Sequence, residues 1–248
     1  MFTPNLMIIR GEKPISGEGK TYTIPKGTTV RFKENVILAG YSPEPGLVFS
    51  DGASLIAQGT ADDPVVFESH DRSALITFRE SSSTESIIEY CDANNTVMKF
   101  ENSITIQYCK FNYGGVLCSK GSNATIKNNS FFESSVAIDS NENTYIPCPT
   151  IQYNNIDLNR LDSGDPYGIL IRNGSADTVI RFNNIMNSLA GAVDYAGEYI
   201  TVDKINIYDN YILNCNSMTG VDTNGSQCYG VNVVSYSTSQ ITEAGCGW

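Results

Sequence analysis

One short phrase recurs six times along the chain and constrains the fold more than any other feature. It consists of an Ile, a variable residue, an aromatic or polar residue and then Cys or Asn. By subtraction, the fourth positions are 18, 20, 25, 29 and 27 residues apart. A period of this length, with the extra residues between the phrases, is typical of a solenoid with inserted loops. The fourth positions are Cys91, Cys109, Asn129, Asn154, Asn183 and Asn210.

A second phrase follows each copy of the first, and it has the period-two alternation of a short β-strand. Two or three strands per repeat, without helical periodicity, predict an all-β parallel β-helix whose coils lie about 4.8 Å apart. We expect the Asn and Cys residues to form a ladder at one bend, where Asn tolerates left-handed backbone and bonds the coils above and below. The second phrases are Met98–Phe100, Val116–Cys118, Val136–Ile138, Ile169–Ile171, Val193–Tyr195 and Val231–Val233.

Charge and hydropathy restrict the partners. The formal net charge is -11, which repels the phosphate backbone of nucleic acids and anionic membrane surfaces. The first apolar run, Leu6–Ile9, is too short for a membrane-spanning helix or for the core of an export signal. We therefore predict no nucleic-acid binding and no membrane insertion.

The opening third adds segments that look like the first coils of known surface proteins. With these segments, the chain resembles right-handed parallel β-helix proteins of the pectate-lyase-like superfamily, and is closest in pattern to bacterial or phage surface proteins. The resemblance implies an extracellular or cell-surface location. The resemblance implies no single activity, because the same fold is found in lyases, hydrolases, epimerases and adhesins. The segments are Tyr22–Pro25, Gly27–Phe32, Ala53–Gly59 and Asp63–Ser69.

The repeats divide the chain into three parts. Residues 21–236 are predicted to form a single β-helix domain. Residues 1–20 are predicted to be an N-terminal cap or contact segment, and residues 237–248 a C-terminal tail or cap. Because the open ends of a solenoid are strand edges, they can also pair with another copy of the chain.

The enzymes of this superfamily carry their chemistry on the outer face of one strand column, which the second phrase is expected to supply. Alternation brings Asp139, Arg172 and Asp194 to this face as candidate catalytic residues. A lyase needs a cation to neutralise a uronate carboxylate and a base to remove the adjacent proton, with Ca²⁺ the one cofactor left open. The alternative is a surface Arg that bridges two Asp side chains. The motifs of related hydrolases and epimerases are not intact, which favours a non-catalytic role.

Residues of the same face, and aromatic residues near the inserted loops, are candidates for binding a carbohydrate. Aromatic rings stack on the apolar faces of sugars, and polar side chains on successive coils can line a sugar chain. Tyr90, Tyr108, Tyr153 and Phe182 recur in register, which favours an internal stack or a flanking column over a sugar platform. The predicted binding residues are Lys99, Glu101, Tyr167, Tyr195, Tyr229 and Asn232.

Two long insertions interrupt the short coils. The insertion at 157–167 contains Asp157, Asp162 and Asp165, which are candidate Ca²⁺ ligands, although their spacing fits no known calcium motif and favours a solvated acidic loop. Cys215 and Cys228 close the insertion at 214–229, and a disulfide between them is predicted for an oxidising compartment.

The other cysteines contain no metal-ligand spacing. Cys91 and Cys109 share the ladder position and are expected to stack as free thiols, and Cys118 is expected in the core. No partner is assigned to Cys148 or Cys246.

Three functions remain open. The first is an extracellular, non-catalytic module that serves as a surface structural or glycan-binding protein. The second is a polysaccharide lyase or glycoside hydrolase that acts on an acidic polysaccharide. The third is a self-assembling filament subunit.

Overall fold

The computed structural model describes residues 5–34, 44–70, 73–139, 147–159, 167–172, 177–188, 191–197, 206–213, 215 and 231–235. All the regular structure in this part of the chain is β-strand. No helix there has the length and hydrophobicity needed to cross a bilayer.

The strands form three parallel sheets, and each strand pairs with the strand three places later in the chain. The first sheet contains β1 (Asn5–Arg10), β4 (Thr28–Lys33), β7 (Val65–Ser69), β10 (Cys91–Asn94), β13 (Lys110–Asn112), β16 (Ser130–Phe132), β19 (Asn155–Asp157), β22 (Asn184–Met186) and β25 (Tyr211–Leu213). The second contains β2 (Glu12–Ser16), β5 (Gly46–Ser50), β8 (Ala74–Phe78), β11 (Thr96–Phe100), β14 (Gly115–Cys118), β17 (Ser135–Asp139), β20 (Tyr167–Arg172), β23 (Gly191–Gly197) and β26 (Val231–Ser235). The third contains β3 (Thr21–Ile24), β6 (Ser54–Gln58), β9 (Ile87–Glu89), β12 (Thr105–Gln107), β15 (Thr125–Lys127), β18 (Thr150–Gln152), β21 (Val179–Arg181) and β24 (Asn206–Tyr208).

This architecture confirms the predicted parallel β-helix. Each coil supplies one strand to each sheet, and both phrases of the repeat fall on strands. Residues 5–16, within the segment predicted as a cap, form β1 and β2 of the first coil and pair with β4 and β5. Residues 237–248 lie outside the described residues. Pairing of the solenoid ends with another copy stays a prediction.

The core consists of inward-facing columns in which like side chains stack on like. Alternate residues of a strand face the interior, and the in-register pairing places each inward residue over its counterpart on the next coil. Phe111 and Phe131 stack with ring centroids 4.8 Å apart, and Phe49 and Phe78 with centroids 5.1 Å apart. The third sheet contributes a column of fully buried isoleucines: Ile88, Ile106, Ile126, Ile151 and Ile180.

The Asn ladder lies at the bend between the third and first sheets, and its members Asn129, Asn154 and Asn183 are buried. Asn154 Oδ1 accepts hydrogen bonds from the backbone N–H of Asn129 at 3.0 Å and from its side-chain amide at 3.1 Å. The amide of Asn154 donates to Ile126 O at 2.9 Å and to Asn183 Oδ1 at 3.0 Å. Each ladder amide therefore satisfies buried polar groups that this bend would otherwise leave unpaired.

One expectation about this bend was wrong. The ladder residue does not adopt the left-handed conformation; the residue immediately before it does, with φ of 58° at Tyr108, 55° at Asn128 and 57° at Tyr153. The ladder amide must face inward to reach its partners, so the preceding residue makes the bend and its side chain faces outward.

Candidate functional site

The residues that make the left-handed bend form a column on the outer surface, which we call the bend column. Four of its side chains are aromatic, of which Tyr90 is half-buried and three are exposed: Tyr108 by 44%, Tyr153 by 53% and Phe182 by 40%. Of the two arrangements predicted for these aromatic residues, the flanking column is correct and the internal stack is not. The bend column consists of Tyr90, Tyr108, Asn128, Tyr153, Phe182 and Asp209.

The rings of the bend column form two stacked pairs. Tyr90 and Tyr108 have centroids 5.0 Å apart with an interplanar angle of 14°. Tyr153 and Phe182 have centroids 5.1 Å apart with an angle of 11°. Each pair joins neighbouring coils, so its spacing follows the distance between adjacent parallel strands.

Asn128 separates the two pairs and leaves a slot, defined here by Tyr108, Asn128 and Tyr153. The register Gln107–Lys127–Gln152 shows that the two tyrosines are two coils apart. At about 4.8 Å per coil, this separates them by about 9.6 Å. The short Asn128 side chain fills less of this interval than a ring would, so the outer part of the slot is open between two aromatic side chains.

The slot opens into a groove of about 480 Å³. Its size falls in the range of small-molecule pockets, about 300–1,000 Å³. One wall is an outward column of the first sheet, and the other residues come from the turn before β7 and from the bend. The lining residues are Thr60, Ala61, Pro64, Tyr90, Asp92, Tyr108, Cys109, Lys110, Asn128, Asn129, Ser130, Tyr153 and Asn155.

A row of amide and charged side chains follows the bend column on the third sheet. Glu89 accepts hydrogen bonds from the side-chain amides of Gln58, at 2.9 Å, and Gln107. Arg181 Nε donates to Gln152 Oε1 at 2.9 Å, and its guanidinium lies 5.6 Å from the ring centroid of Phe182.

Lys127 lies in this row beside the slot. Among the described residues its ammonium group has no hydrogen-bond or ion-pair partner. The slot is thus flanked by one unpaired cation and by amides that can donate and accept hydrogen bonds.

The three predicted catalytic residues lie on two columns of the second sheet. Asp139 pairs in register with Arg172 on the next coil, whereas Asp194 pairs with Leu170, two residues earlier along β20. The side chains of Arg172 and Asp194 lie outside the described residues. Their convergence with the Asp139 side chain therefore stays a prediction. The lyase hypothesis stays a prediction.

Two of the predicted binding residues meet in an ion pair. Lys99 Nζ lies 2.9 Å from Glu101 Oε1, and the Glu101 side chain is only 1% exposed. A ligand on this face therefore meets the lysine before it meets the carboxylate.

Other predicted binding residues are placed by backbone alone. Asn232 pairs with Asp194, and Tyr195 pairs with Ile171, which is buried. Tyr167 pairs with Gly191, and Tyr229 lies outside the described residues.

The predicted Ca²⁺ ligands are only partly described. Asp157 Oδ1 accepts hydrogen bonds from Asn159 N at 2.9 Å and from the Asn187 amide at 2.8 Å. Asp162 and Asp165 lie outside the described residues. Within the described part of the chain, no three His, Cys, Asp or Glu side chains are grouped as a metal site.

Four of the described cysteines, Cys91, Cys109, Cys118 and Cys215, are buried free thiols. Cys91 and Cys109 stack in the ladder as predicted, with Cys91 N–H donating to Cys109 Sγ at 3.4 Å. Cys118 is in the core, and burial raises its pKa to about 12. Cys215 is buried, but Cys228 lies outside the described residues, so their disulfide stays a prediction.

Comparison of the chain with protein-family models, with curated proteins and with solved structures found no match. Membership of the pectate-lyase-like superfamily therefore stays a prediction, whereas the parallel β-helix is established by the three sheets. The case for a function depends on the chemistry of the groove.

Sequence reasoning did not identify the slot, although its signal is present in the repeats. The third position of the phrase is aromatic in four of the six copies, and Asn128 interrupts the aromatic run between Tyr108 and Tyr153.

Proposed function

We propose that this protein is an extracellular, non-catalytic glycan-binding module that holds a sugar ring in the slot between Tyr108 and Tyr153. The observation that carries the proposal is the interruption of a stacked, exposed aromatic column by one small residue, at the place where the groove opens. Sugar rings present apolar C–H faces that pack on aromatic rings, and hydroxyl edges that need hydrogen bonds.

The spacing of the slot supports this ligand. A ring centred between Tyr108 and Tyr153 lies about 4.8 Å from each, half of the two-coil distance. That distance is close to the 5.0 and 5.1 Å at which the neighbouring aromatic pairs stack. Amides of Asn128 and Asn155 line the groove beside this space and can meet hydroxyl groups at the rim.

The backbone conformation of the aromatic residues also supports a role beyond folding. Bulky side chains are uncommon at positive φ, where each costs about 1 kcal/mol or more relative to glycine or asparagine. Asn128 and Asp209 make the same bend without an aromatic ring. Since the fold does not require aromatic residues here, their strained and exposed placement supports a binding role.

The carboxylates near the slot are engaged in contacts that support binding rather than hydrolysis. Both oxygens of Glu89 accept hydrogen bonds from glutamine amides. Asp92 Oδ1 lies 3.9 Å from Lys110 Nζ on the next coil. Of the two, Asp92 lines the groove and is placed to accept hydrogen bonds from hydroxyl groups.

The test is a screen of neutral oligosaccharides by glycan array, followed by calorimetric titration of the best ligand. Tyr108→Ala and Tyr153→Ala should each weaken binding by about tenfold, since an aromatic contact contributes about 0.5–1.5 kcal/mol beyond its buried area. Asn128→Tyr should abolish binding, because a third ring at this position fills the slot and joins the two stacks.

Tyr113→Ala is the matched control. Tyr113 is also aromatic, exposed by 60% and at positive φ, but it does not line the groove. Its replacement should leave the affinity unchanged. Full affinity in Asn128→Tyr, or an equal loss in Tyr113→Ala, would exclude the slot as the glycan site.

A further inference from the structure

A cluster of three cations surrounds one carboxylate on the second sheet, whereas the slot lies at the bend between the third and first sheets. Lys99 Nζ is 2.9 Å from Glu101 Oε1, and Arg79 Nη1 is 3.4 Å from the same oxygen. Lys120 Nζ is 3.6 Å from Glu101 Oε2. We call these four residues the cation cluster.

The cation cluster carries more positive charge than its carboxylate neutralises. Three cations against one carboxylate leave two positive charges in a chain whose formal net charge is -11. Along the same column the next carboxylate is Asp139, two coils from Glu101, and it has interactions of its own. At about 9.6 Å, Asp139 lies within the screening length of about 10 Å at 0.1 M salt, so it offsets part of the excess, and the two positive charges are those of the cluster itself.

The burial pattern leaves the cationic groups accessible and the carboxylate covered. The Glu101 side chain is 1% exposed, whereas those of Lys99, Lys120 and Arg79 are 26%, 37% and 48% exposed. Glu101 thus holds the cations in place from below, and an approaching ligand meets N–H donors that are already positioned. Donors fixed in advance bind an anion without the entropy cost of ordering them.

Ser119 gives an independent indication that a ligand belongs here. It follows Cys118, which pairs with Phe100, so Ser119 lies next to Glu101 on the following coil. The residue is only 7% exposed, and its Oγ is buried without a hydrogen-bond partner. A buried hydroxyl without a partner costs about 1–3 kcal/mol, which an oxygen acceptor at this position would recover.

We propose that the cation cluster and Ser119 form a binding site for an oxyanion, namely a carboxylate, sulfate or phosphate group. Lys99, Lys120 and Arg79 donate hydrogen bonds to its oxygens, and the Ser119 hydroxyl donates one more. Neutral donors and cations together favour an acidic group over a neutral sugar. This site does not depend on the slot.

The first experiment titrates the intact chain with sodium sulfate, against sodium chloride at equal ionic strength, by NMR. Sulfate should shift the amide signals of Ser119 and Lys120 at millimolar concentration, and chloride should not. Lys120→Gln should weaken sulfate binding by about tenfold, which corresponds to the loss of one charge-assisted hydrogen bond. Lys127→Gln, which removes the same charge elsewhere, should leave it unchanged.

Ser119→Ala separates binding from structure. Because its hydroxyl has no partner in the free protein, the variant should be as stable as the wild type or more so, yet bind sulfate about threefold more weakly. Equal shifts with sulfate and chloride, or an equal loss in Lys127→Gln, would overturn the proposal. Unchanged sulfate affinity in both Ser119→Ala and Lys120→Gln would do the same.

The source of the anion can be decided with a sulfated oligosaccharide and its desulfated counterpart of equal length. Tighter binding of the sulfated chain than of inorganic sulfate, lost in Lys120→Gln, assigns the site to an acidic glycan. Equal affinity for the sulfated oligosaccharide and for inorganic sulfate assigns the site to a free anion. Tyr153→Ala should not alter sulfate binding, so failure of the slot and failure of this site are distinguishable.

Discussion

Positions 153 and 154 are neighbours in the chain and lie on opposite sides of the same bend. Tyr153 faces solvent, adopts a left-handed backbone and contacts another ring of its column. Asn154 is 2% exposed, and its side chain takes part in four ladder hydrogen bonds. The inner position therefore stabilises the coil, and the outer position is available for a ligand.

This difference teaches that one repeated phrase can serve two purposes. The ladder residue varies only between Asn and Cys, both small enough to stack inside the bend. The bend residue varies among Tyr, Phe, Asn and Asp, because solvent accepts all of them. Substitutions on the two sides should consequently separate stability from binding.

The largest effect is expected from Asn154→Ala. The substitution removes the side-chain partner of the Asn129 backbone N–H and of the Ile126 carbonyl. The Asn129 amide and Asn183 Oδ1 each lose one bond but keep Ile106 O and the Asn154 backbone N–H as partners. At about 1–3 kcal/mol for each unpaired buried group, the free energy of unfolding should fall by about 3–5 kcal/mol. Urea denaturation measures it, with Tyr153→Ala as the matched variant, which should lose only about 1 kcal/mol. Equal losses would contradict the division of roles.

The second largest effect is expected from alkaline pH, which should lower the free energy of unfolding. Burial raises the pKa of Cys118 to about 12 from its ordinary value of 9.0. Because its folded-state pKa is the higher one, this thiol contributes its full stability below pH 9 and loses it as the pH rises towards 12. The loss should approach about 1.4 kcal/mol per pH unit.

The measurement is urea denaturation of the wild type and Cys118→Ala at several pH values between 8 and 11. The difference between their slopes isolates Cys118 from the other titrating groups. The variant should show the shallower decline, and parallel curves would show that the thiol does not titrate on unfolding.

The smallest effect is expected from Tyr153→Asn, which relieves the left-handed strain on the outer side. Asparagine adopts positive φ more readily than tyrosine, as it does at Asn128. Stability should stay within about 1 kcal/mol of the wild type, because the relief offsets the lost ring stacking. Glycan affinity should still fall by about tenfold. A large loss of stability would show that the bend column supports the fold.

Much of the fold follows from the sequence, because each copy of the repeat corresponds to one coil of the β-helix. The spacing of the Ile and Asn positions predicts both the third-sheet column and the ladder, and the second phrase predicts the inward column of the second sheet. The left-handed residue was misplaced, because the known tolerance of Asn for positive φ favours the ladder position. Only the inward hydrogen bonds of Asn129 and Asn154 show that the preceding residue must make the bend.

The candidate sites were harder to predict. Aromatic residues in register favour an internal stack or a flanking column over a sugar platform, so the sequence did not single out Tyr108 and Tyr153 as binding residues. Lys99 and Glu101 were identified on the correct sheet. Arg79 and Lys120 lie just outside the strand phrases, and only the three-dimensional register brings them to Glu101.

The two-coil separation of Tyr108 and Tyr153 has a consequence for how such a protein can evolve. Because coils are added or removed whole, the width of the slot changes only in steps of about 4.8 Å. Deleting the Asn128 coil would bring the tyrosines into contact, and duplicating it would separate them by about 14 Å, too far for one ring to touch both. The size of ligand that fits the slot is thus set by a whole number of coils, so ligand specificity would change in steps rather than gradually.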